Sequence, residues 1–494
     1  MDFIILTCVS GAFFQRSIGA YQIAHFLREH GYTVQVIDFT DYFTEDELLA
    51  AVNKFVTKDT LAIGLSTTFY TPTEGKSNFI RNTSNKFDFM EFPANILYVI
   101  ESLKNVRPDI KVVIGGAKSE AGKSINHVDA VIHGYAEDKV LEYLEGLPNN
   151  KKKNRSNTFN ISTNLEHPYI VYNDPVVKKF SIETLTHRYT EQDNILKGET
   201  LPIEVSRGCI FKCKFCAFPL NGKSKLDYLR DPILIKEELQ YNYEKYGTTH
   251  YFLSDDTFND STTKVEQIHK VVTSLPFKIK FTTYLRLDLL YAHQEQISML
   301  EEMGLASPFF GIESLNQKSA SSIGKGMNVD RAKEFLYELH YNHWKGKIPI
   351  TCSFIIGLPY ETKDTIQSTF EWAKNSPVNS IFFPLSLDSK TFYKSEFNTD
   401  YADYGYKFNK DSGYWENENF NYNEATELSE AYNEELMRKN DMPSSWFLMT
   451  LLNHGYTLDE AVSTKNKDLN YKKILRHKLQ HIKEYKRKLF DINT

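Results

Sequence analysis

From residue 1 to about 147 the chain alternates short apolar runs, rich in β-branched residues, with longer stretches whose apolar positions return every three or four residues. The first pattern suits buried parallel strands and the second suits amphipathic helices. Five βα units are predicted. Their strands are Phe3–Cys8, Thr33–Phe39, Leu61–Thr68, Lys111–Gly115 and Ala130–His133. Helices are expected near Ile18–His30, Glu45–Val56 and Ala94–Asn105, then as a short piece after Ser119, and at Glu137–Leu144. Such a succession predicts a doubly wound parallel sheet, with ligands gathered at the carboxyl ends of the strands where strand order reverses.

The polar run NNKKKNRSN opens a stretch, residues 148–200, without sustained periodicity; it reads as a linker with room for a hairpin. From Leu201 a second alternation begins, with strands expected at Ile203–Ser206, His250–Ser254, Lys280–Leu285, Phe309–Glu313, Thr351–Ile356 and Ser380–Leu385. All but the last lead into helical patterns such as IKEELQYNYEKYG and TKDTIQSTFEWAK. Residues 201–388 therefore fit a partial (βα)6 barrel, and a flat α/β sheet fits the same periodicity, which carries no information on closure. Residues 389–494 turn rich in Tyr, Asn and Glu and end in a basic helix, so a mainly helical C-terminal region is expected. Its Tyr- and Asn-rich part, Tyr401–Tyr422, is placed to cover the barrel mouth as a substrate lid.

At 494 residues, with 41% apolar and 25% charged side chains, the chain can bury two or three globular cores. A net charge of -6 gives no general attraction to polyanions, which disfavours nucleic acid unless a local patch supplies it. One such patch exists. Lys465–Lys488 holds ten Lys or Arg against Asp468 and Glu484, with Tyr471, Leu475, Ile482 and Leu489 near one helical face. An RNA-binding face and an ordinary packed terminal helix both fit, and the second describes the pattern better. The apolar start MDFIILTCVSGAFF contains Asp2, lacks a basic beginning and is too short to span a bilayer, so it reads as a strand. No other run suggests a membrane helix, and five unevenly spaced cysteines suit a reducing cytoplasm.

Three of those cysteines carry the chemistry. Cys209, Cys213 and Cys216 lie in RGCIFKCKFC, just beyond the first barrel strand, on the face where barrel enzymes place their sites. Closely spaced thiolates on one loop suit a soft metal centre, and three of them leave one iron of a 4Fe-4S cluster open to another ligand. A zinc knuckle is the bland alternative; it needs a fourth ligand, which neither lone cysteine supplies nearby in sequence and which a histidine from elsewhere could provide. Cys8 and Cys352 stand alone in apolar runs and read as core thiols.

The C-x3-C-x2-C spacing, with Phe215 before the third cysteine, resembles the signature of radical S-adenosylmethionine enzymes. That resemblance implies an open iron that chelates the amino and carboxylate groups of S-adenosylmethionine, and an electron that breaks a sulfonium bond to give a 5′-deoxyadenosyl radical. It also implies an electron donor such as flavodoxin or ferredoxin. Further strand ends resemble the family. Ser254, Asp255 and Asp256 in LSDDTF stand where a motif receives the cofactor's amino group, although its common Gly-Gly-Glu form is absent. Arg286 resembles a residue that meets the cofactor carboxylate or ribose, Glu313 and Ser314 match a motif near the ribose, and backbone near Gly357 resembles the adenine-binding stretch. Asp255 and Asp256 could equally cap the next helix, and Arg286 could form a plain ion pair. Glu313 follows the apolar run FFGI, where an unpaired charge would be costly.

A flavodoxin-like domain ahead of such a barrel resembles the cobalamin-binding domain of one radical subclass. Ser66 and Thr68 stand at its S-x-T place, Gly115 and Gly116 follow the fourth strand, and Gly134 and Glu137 match its glycine–acid turn. These positions imply contacts with the nucleotide tail of cobalamin. The family's D-x-H-x-x-G motif, whose histidine ligates cobalt, aligns with FQRSIG, where Phe14 and Arg16 replace the Asp and His and only Gly19 remains.

The resemblance as a whole implies a cobalamin-dependent methyltransferase, in which one S-adenosylmethionine methylates cobalamin, a second provides the radical that removes a hydrogen atom from a substrate carbon, and methylcobalamin supplies the methyl group. Radical rearrangement, cyclisation or oxidation without methyl transfer uses the same barrel residues. A noncatalytic iron–sulfur or corrinoid binding protein is the reading from another class. Too few cysteines remain for an auxiliary cluster, which disfavours peptide maturation and methylthio transfer to transfer RNA.

Overall fold

The computed structural model describes residues 1–8, 14–68, 93–116, 119, 126–152, 170–173, 182–216, 228–387, 395–409, 413–439, 445–463 and 469–491. The first sheet is parallel throughout. Its strands are β1 (Phe3–Leu6), β2 (Val34–Ile37), β3 (Ala62–Ser66), β4 (Lys111–Gly115), β5 (Ala130–His133) and β6 (Ile170–Asn173), in the order β2-β1-β3-β4-β5-β6. The order reverses after β1, the flavodoxin-like switch, so right-handed crossovers send helices to both faces.

The pleat shows this division residue by residue. Phe3 and Ile5 of β1 share a core with Tyr21 and Leu27 of α1 (Ile18–Glu29) and with α4 (Glu137–Gly146), whereas Ile4 and Leu6 share one with α2 (Glu45–Phe55) and α3 (Ala94–Val106). Strands buried on both faces must be apolar at every position, which explains why FIIL shows no alternation. Helix α2 starts where expected because Thr44 and Glu47 form a reciprocal capping box.

One element went unread in the sequence. Where a linker with a hairpin was expected, Ile170–Asn173 adds a sixth strand that pairs with β5 in parallel. A four-residue strand without flanking periodicity leaves no helix or alternation to detect. The short helix expected after Ser119 falls on residues outside those described. Residues 190–199 are pinned to the first sheet by buried ion pairs, Arg28 with Asp193 at 2.9 Å and Arg16 with Glu199 at 2.6 Å.

The second sheet holds β7 (Leu201–Glu204), β8 (His250–Ser254), β9 (Lys280–Leu285), β10 (Leu305–Glu313), β11 (Thr351–Ile356) and β12 (Asn379–Pro384), all parallel and in strict sequential order. With no reversal, every right-handed crossover returns its helix to one face, leaving the other as the concave interior of a partial barrel. Register places Phe252, Ser254, Tyr284 and Phe309 on that interior face together with Ser353, Ile381 and Phe383.

The C-terminal region is mainly helical and wraps both sheets. Helix Tyr422–Lys439 lies on β12, where the Asn433 amide bonds both backbone groups of Phe382 at 2.8 Å. Helix Ser445–Asn453 packs against β8, β9 and β10, and helix Tyr471–Asp491 buries Ile482, Tyr485 and Leu489 against the first sheet's α2 side. Tyr471 and Leu475, expected on that packed face, are exposed instead, while Ile474 of the same half packs against the cluster around Leu448 and Leu451. No helix among the described residues is long and apolar enough to cross a membrane.

Candidate functional site

The cysteine loop begins at the carboxyl end of β7, so the strand delivers the thiols to the rim of the barrel. Cys209 is buried, and Cys213 and Cys216 are half-buried. The Cys209 sulfur lies 3.4 Å from the Thr257 hydroxyl and accepts from the Phe211 amide at 3.5 Å. Burial pushes the Cys209 thiol up, and the Thr257 bond offsets part of that rise. Phe215 packs partly buried against the core beneath the loop.

Arg286, at the end of β9, supplies the loop's positive charge. Its guanidinium grips Asp288 at 2.9 and 2.5 Å, lies 3.9 Å from the Phe211 ring and points Nη1 at the Cys213 sulfur from 3.6 Å. The ion pair and the approach to the thiol loop thus coexist. Its backbone is fixed by a two-way bond with the Asn259 side chain, at 2.8 and 3.0 Å.

Of the LSDDTF residues, Asp255 faces away from the loop. It pairs with fully buried Lys264 at 3.0 Å and accepts from the Thr257 amide, a packing role, while Asp260 and Tyr228 complete the cluster. Asp256 looks the other way, toward the backbone of Gly208, and burial with Asp255 nearby raises its carboxyl to about 7. Ser254 is half-buried on the barrel's inner face.

Glu313 ends β10 in a left-handed conformation, φ 70°, beside a register shift between Gly311 and Glu313. Such strain in a non-glycine residue persists only where surroundings impose it. Here Ser353 donates to its carboxylate at 3.3 Å and Lys325 lies 3.6 Å away, so the charge is not unpaired, although burial still raises its carboxyl. Ser314 is turned to the Glu361 carboxylate and accepts from the Asn316 amide at 2.9 Å. Gly357 has φ 100°, and a Cβ there would stand 2.2 Å from the Trp415 ring. Its carbonyl accepts from Tyr406 at 2.7 Å and Asn417 at 3.2 Å. Tyr406 and Asn417 thus meet the end of β11, and neighbouring residues reach the cysteine loop: Lys214 bonds Glu396 at 3.0 Å and Tyr404 at 2.8 Å, and its carbonyl accepts from the Phe397 amide.

On the first sheet, Ser66 and Thr68 are half-buried and share one side of the chain, while Thr67 turns inward and donates to the Gly115 carbonyl at 2.9 Å. Gly116, φ 102°, lies so close that a Cβ would meet the Thr68 amide and hydroxyl at 2.8 Å. Gly134 is also left-handed, φ 84°. Glu137 is buried and ion-paired to Arg207 at 2.5 Å, which places it beside the cysteine loop. At the FQRSIG position, Phe14 stacks on His454 and Arg16 is committed to Glu199, Tyr21 and the Asp193 and Asn194 carbonyls. An added Cβ at Gly19 would meet nothing within 4 Å.

Sequence reasoning missed Lys214, Arg207, Glu204, Lys264, Lys325 and Glu361. Arg207, two residues before Cys209, and Lys214, directly after Cys213, carried a positional signal; the others did not. Cys8 and Cys352 are buried as expected, and burial raises the Cys352 thiol. Among the described residues no three His, Cys, Asp or Glu side chains converge on a point suited to one bare metal ion. Three thiols on a rim loop, with Arg286 beside them, are chemically suited to an iron–sulfur group. The interlocked loops after β3 and β4, with Ser66 and Thr68 on one side, are compatible with the tail of a corrinoid.

Fold and site together describe a two-sheet α/β protein whose second sheet is a partial βα barrel with its chemistry on the carboxyl rim. Residues 203–373 match the family model described as the radical SAM superfamily, and this part of the chain is a radical SAM domain. An uncharacterised methyltransferase of Pyrococcus horikoshii is 24% identical over 58% of this chain and 63% of its own length. The bacteriochlorophyllide d C-8(2)-methyltransferase of Chlorobaculum tepidum is 23% identical over 56% and 58%. An anaerobic magnesium-protoporphyrin IX monomethyl ester cyclase of Cereibacter sphaeroides is 26% identical over 34% and 27%. The chain thus spans less than two thirds of these relatives. Among solved structures, the methyltransferase TsrM of Kitasatospora setae with cobalamin and a [4Fe-4S] cluster shares the fold at TM-score 0.55, with 14% identity, covering 79% of this chain and 76% of that one. OxsB with aqua-cobalamin and S-adenosylmethionine matches at TM-score 0.55 and 12% identity, covering 100% and 82%.

Proposed function

We propose that this chain is a cobalamin-dependent radical S-adenosylmethionine methyltransferase that acts on an unactivated carbon. The observation that carries this reading is the three-thiol loop at the end of β7, in a barrel joined to a flavodoxin-like sheet. When bound, the cluster and S-adenosylmethionine supply a carbon-centred radical, and a corrinoid supplies the methyl group. Cys209, Cys213 and Cys216 would hold the cluster, and Arg286 places positive charge against Cys213. Phe215, Ser254, Asp256, Glu313, Ser314 and the Gly357 backbone would form the walls of the S-adenosylmethionine site, while Asp255 is paired with Lys264. Ser66, Thr68, Gly115, Gly116 and Gly134 would receive the corrinoid tail. Tyr406 and Asn417 would steady the Gly357 backbone, and Glu396 and Tyr404 would tether the cysteine loop through Lys214.

Oxygen-free loading with iron and sulfide should give about four irons per chain, and the reduced protein should then release 5′-deoxyadenosine from S-adenosylmethionine. Cys213→Ala should abolish both while leaving the helical circular dichroism intact. An unchanged iron content in that variant sinks the reading. Corrinoid content, read from visible absorption after incubation with hydroxocobalamin, tests the first sheet separately. The resemblance to anaerobic cyclases favours a second reading, radical cyclisation without methyl transfer, and product mass separates the two.

A further inference from the structure

Arg207 stands two residues before Cys209 and is buried where the two sheets meet. Its guanidinium is held from both sides. Nε and Nη2 bond the Glu204 carboxylate of β7 at 2.7 and 3.0 Å, and Nη2 bonds Glu137 of the first sheet at 2.5 Å. Tyr135, also from the first sheet, places its ring 4.4 Å from the same guanidinium. Gln22 of α1 completes the joint, donating to Glu204 at 2.6 Å and accepting from Arg207 at 3.4 Å. The Arg207 amide donates to the Tyr228 carbonyl at 2.8 Å, which fixes the backbone two residues before Cys209.

The first turn of the cysteine loop is therefore fixed by a side chain whose partners come from both sheets. A buried guanidinium needs its carboxylates, and removing one leaves charge in a poorly solvated place. We infer that Arg207 is a positioning residue for the thiol loop and that Glu137 is its partner across the domain boundary, so that the first sheet directly supports the iron site. This rests on the reading that the loop holds iron. It also links the two strand-end sites. Gly134 lies three residues before Glu137, so a ligand that moves that turn moves an anchor of the cysteine loop.

The test uses the full chain with Glu137→Ala, Glu137→Gln and Arg207→Lys. Glu199→Gln is the control, because the Arg16–Glu199 pair is equally buried but belongs to a different joint. After oxygen-free iron loading, iron release to bathophenanthroline should accelerate about ten-fold or more in Glu137→Ala and Arg207→Lys, as for groups that orient metal ligands. The electron paramagnetic resonance line shape of the reduced protein should change at temperatures where the chain stays folded. Glu137→Gln should be intermediate. Glu199→Gln should lower the melting temperature and leave release and line shape alone. If Glu137→Ala lowers only the melting temperature, as the control does, the inference is overturned. If the wild type takes up no iron, the radical reading fails, and amide exchange over residues 207–216 in iron-free protein still decides: faster exchange in Glu137→Ala supports the joint, and unchanged exchange refutes it.

Discussion

The two sheets are each built from six parallel strands, and both receive helices through right-handed crossovers, yet they present different kinds of site. In the first, strand order reverses after β1 and helices cover both faces, so only the strand-end crevice is available. In the second, order never reverses, helices occupy one face, and the other becomes a lumen whose rim carries the cysteines. Topology alone converts one repeated unit into a surface crevice or an interior chamber. The two also differ in how charge is used. Below the first sheet, Arg16 is a buried hub that ties α1 to Glu199 and the terminal helix, whereas at the second sheet's carboxyl end Arg286 lies against the Cys213 sulfur and Lys325 against Glu313.

The largest expected effect breaks the first half of that contrast. Arg16→Ala strands the Glu199 carboxylate without its cation and should cost about 3–5 kcal/mol. Urea unfolding should show the loss. If the hub serves only the first sheet and the terminal helix, iron loading at the rim should survive in the folded fraction.

A smaller effect follows from His481, which lies between Phe14, Phe39 and Arg16 with its pKa lowered by burial to about 4. The unfolded chain takes up this proton first, near 6.5. The stabilisation is therefore complete above pH 6.5 and is lost as pH falls toward 4. His454, lowered to about 3, runs the same way, while Asp38, raised to about 6 by burial, gains stability on acidification. The difference between wild type and His481→Gln isolates the one group. Between pH 7 and 4 the wild type should lose up to about 3 kcal/mol more than the variant.

The smallest effect sharpens the crevice. Gly116→Ala combines a left-handed backbone with a Cβ 2.8 Å from Thr68 and should cost about 1–3 kcal/mol. Chemical denaturation should detect it. Hydroxocobalamin should bind this variant more weakly than it binds Gly19→Ala, whose added methyl meets nothing within 4 Å.

Much of this arrangement was legible in the residues. Runs such as FIIL and TCSFII announced strands buried on both faces, and RGCIFKCKFC announced the rim chemistry. The sixth strand was illegible because four residues carry no period. The glycine–acid turn gave Glu137 no mark of its pairing with a guanidinium 70 positions away, because that partner is not local. Asp255 and Asp256 are neighbours with opposite fates, one paired inward with Lys264 and one turned to the loop, and adjacency in sequence cannot show which is which.

By itself the sequence determined what depends on near neighbours: strand and helix periods, the α2 cap, the thiol spacing and the class of chemistry those thiols suit. Only the tertiary structure decided what depends on groups far apart in the chain. It sent Arg16 to Glu199, closed Trp415 over Gly357 and set Arg207 between Glu204 and Glu137. Local pattern records a residue's own preference for burial or exposure, whereas the partner that makes a buried charge tolerable is chosen by how the two sheets meet.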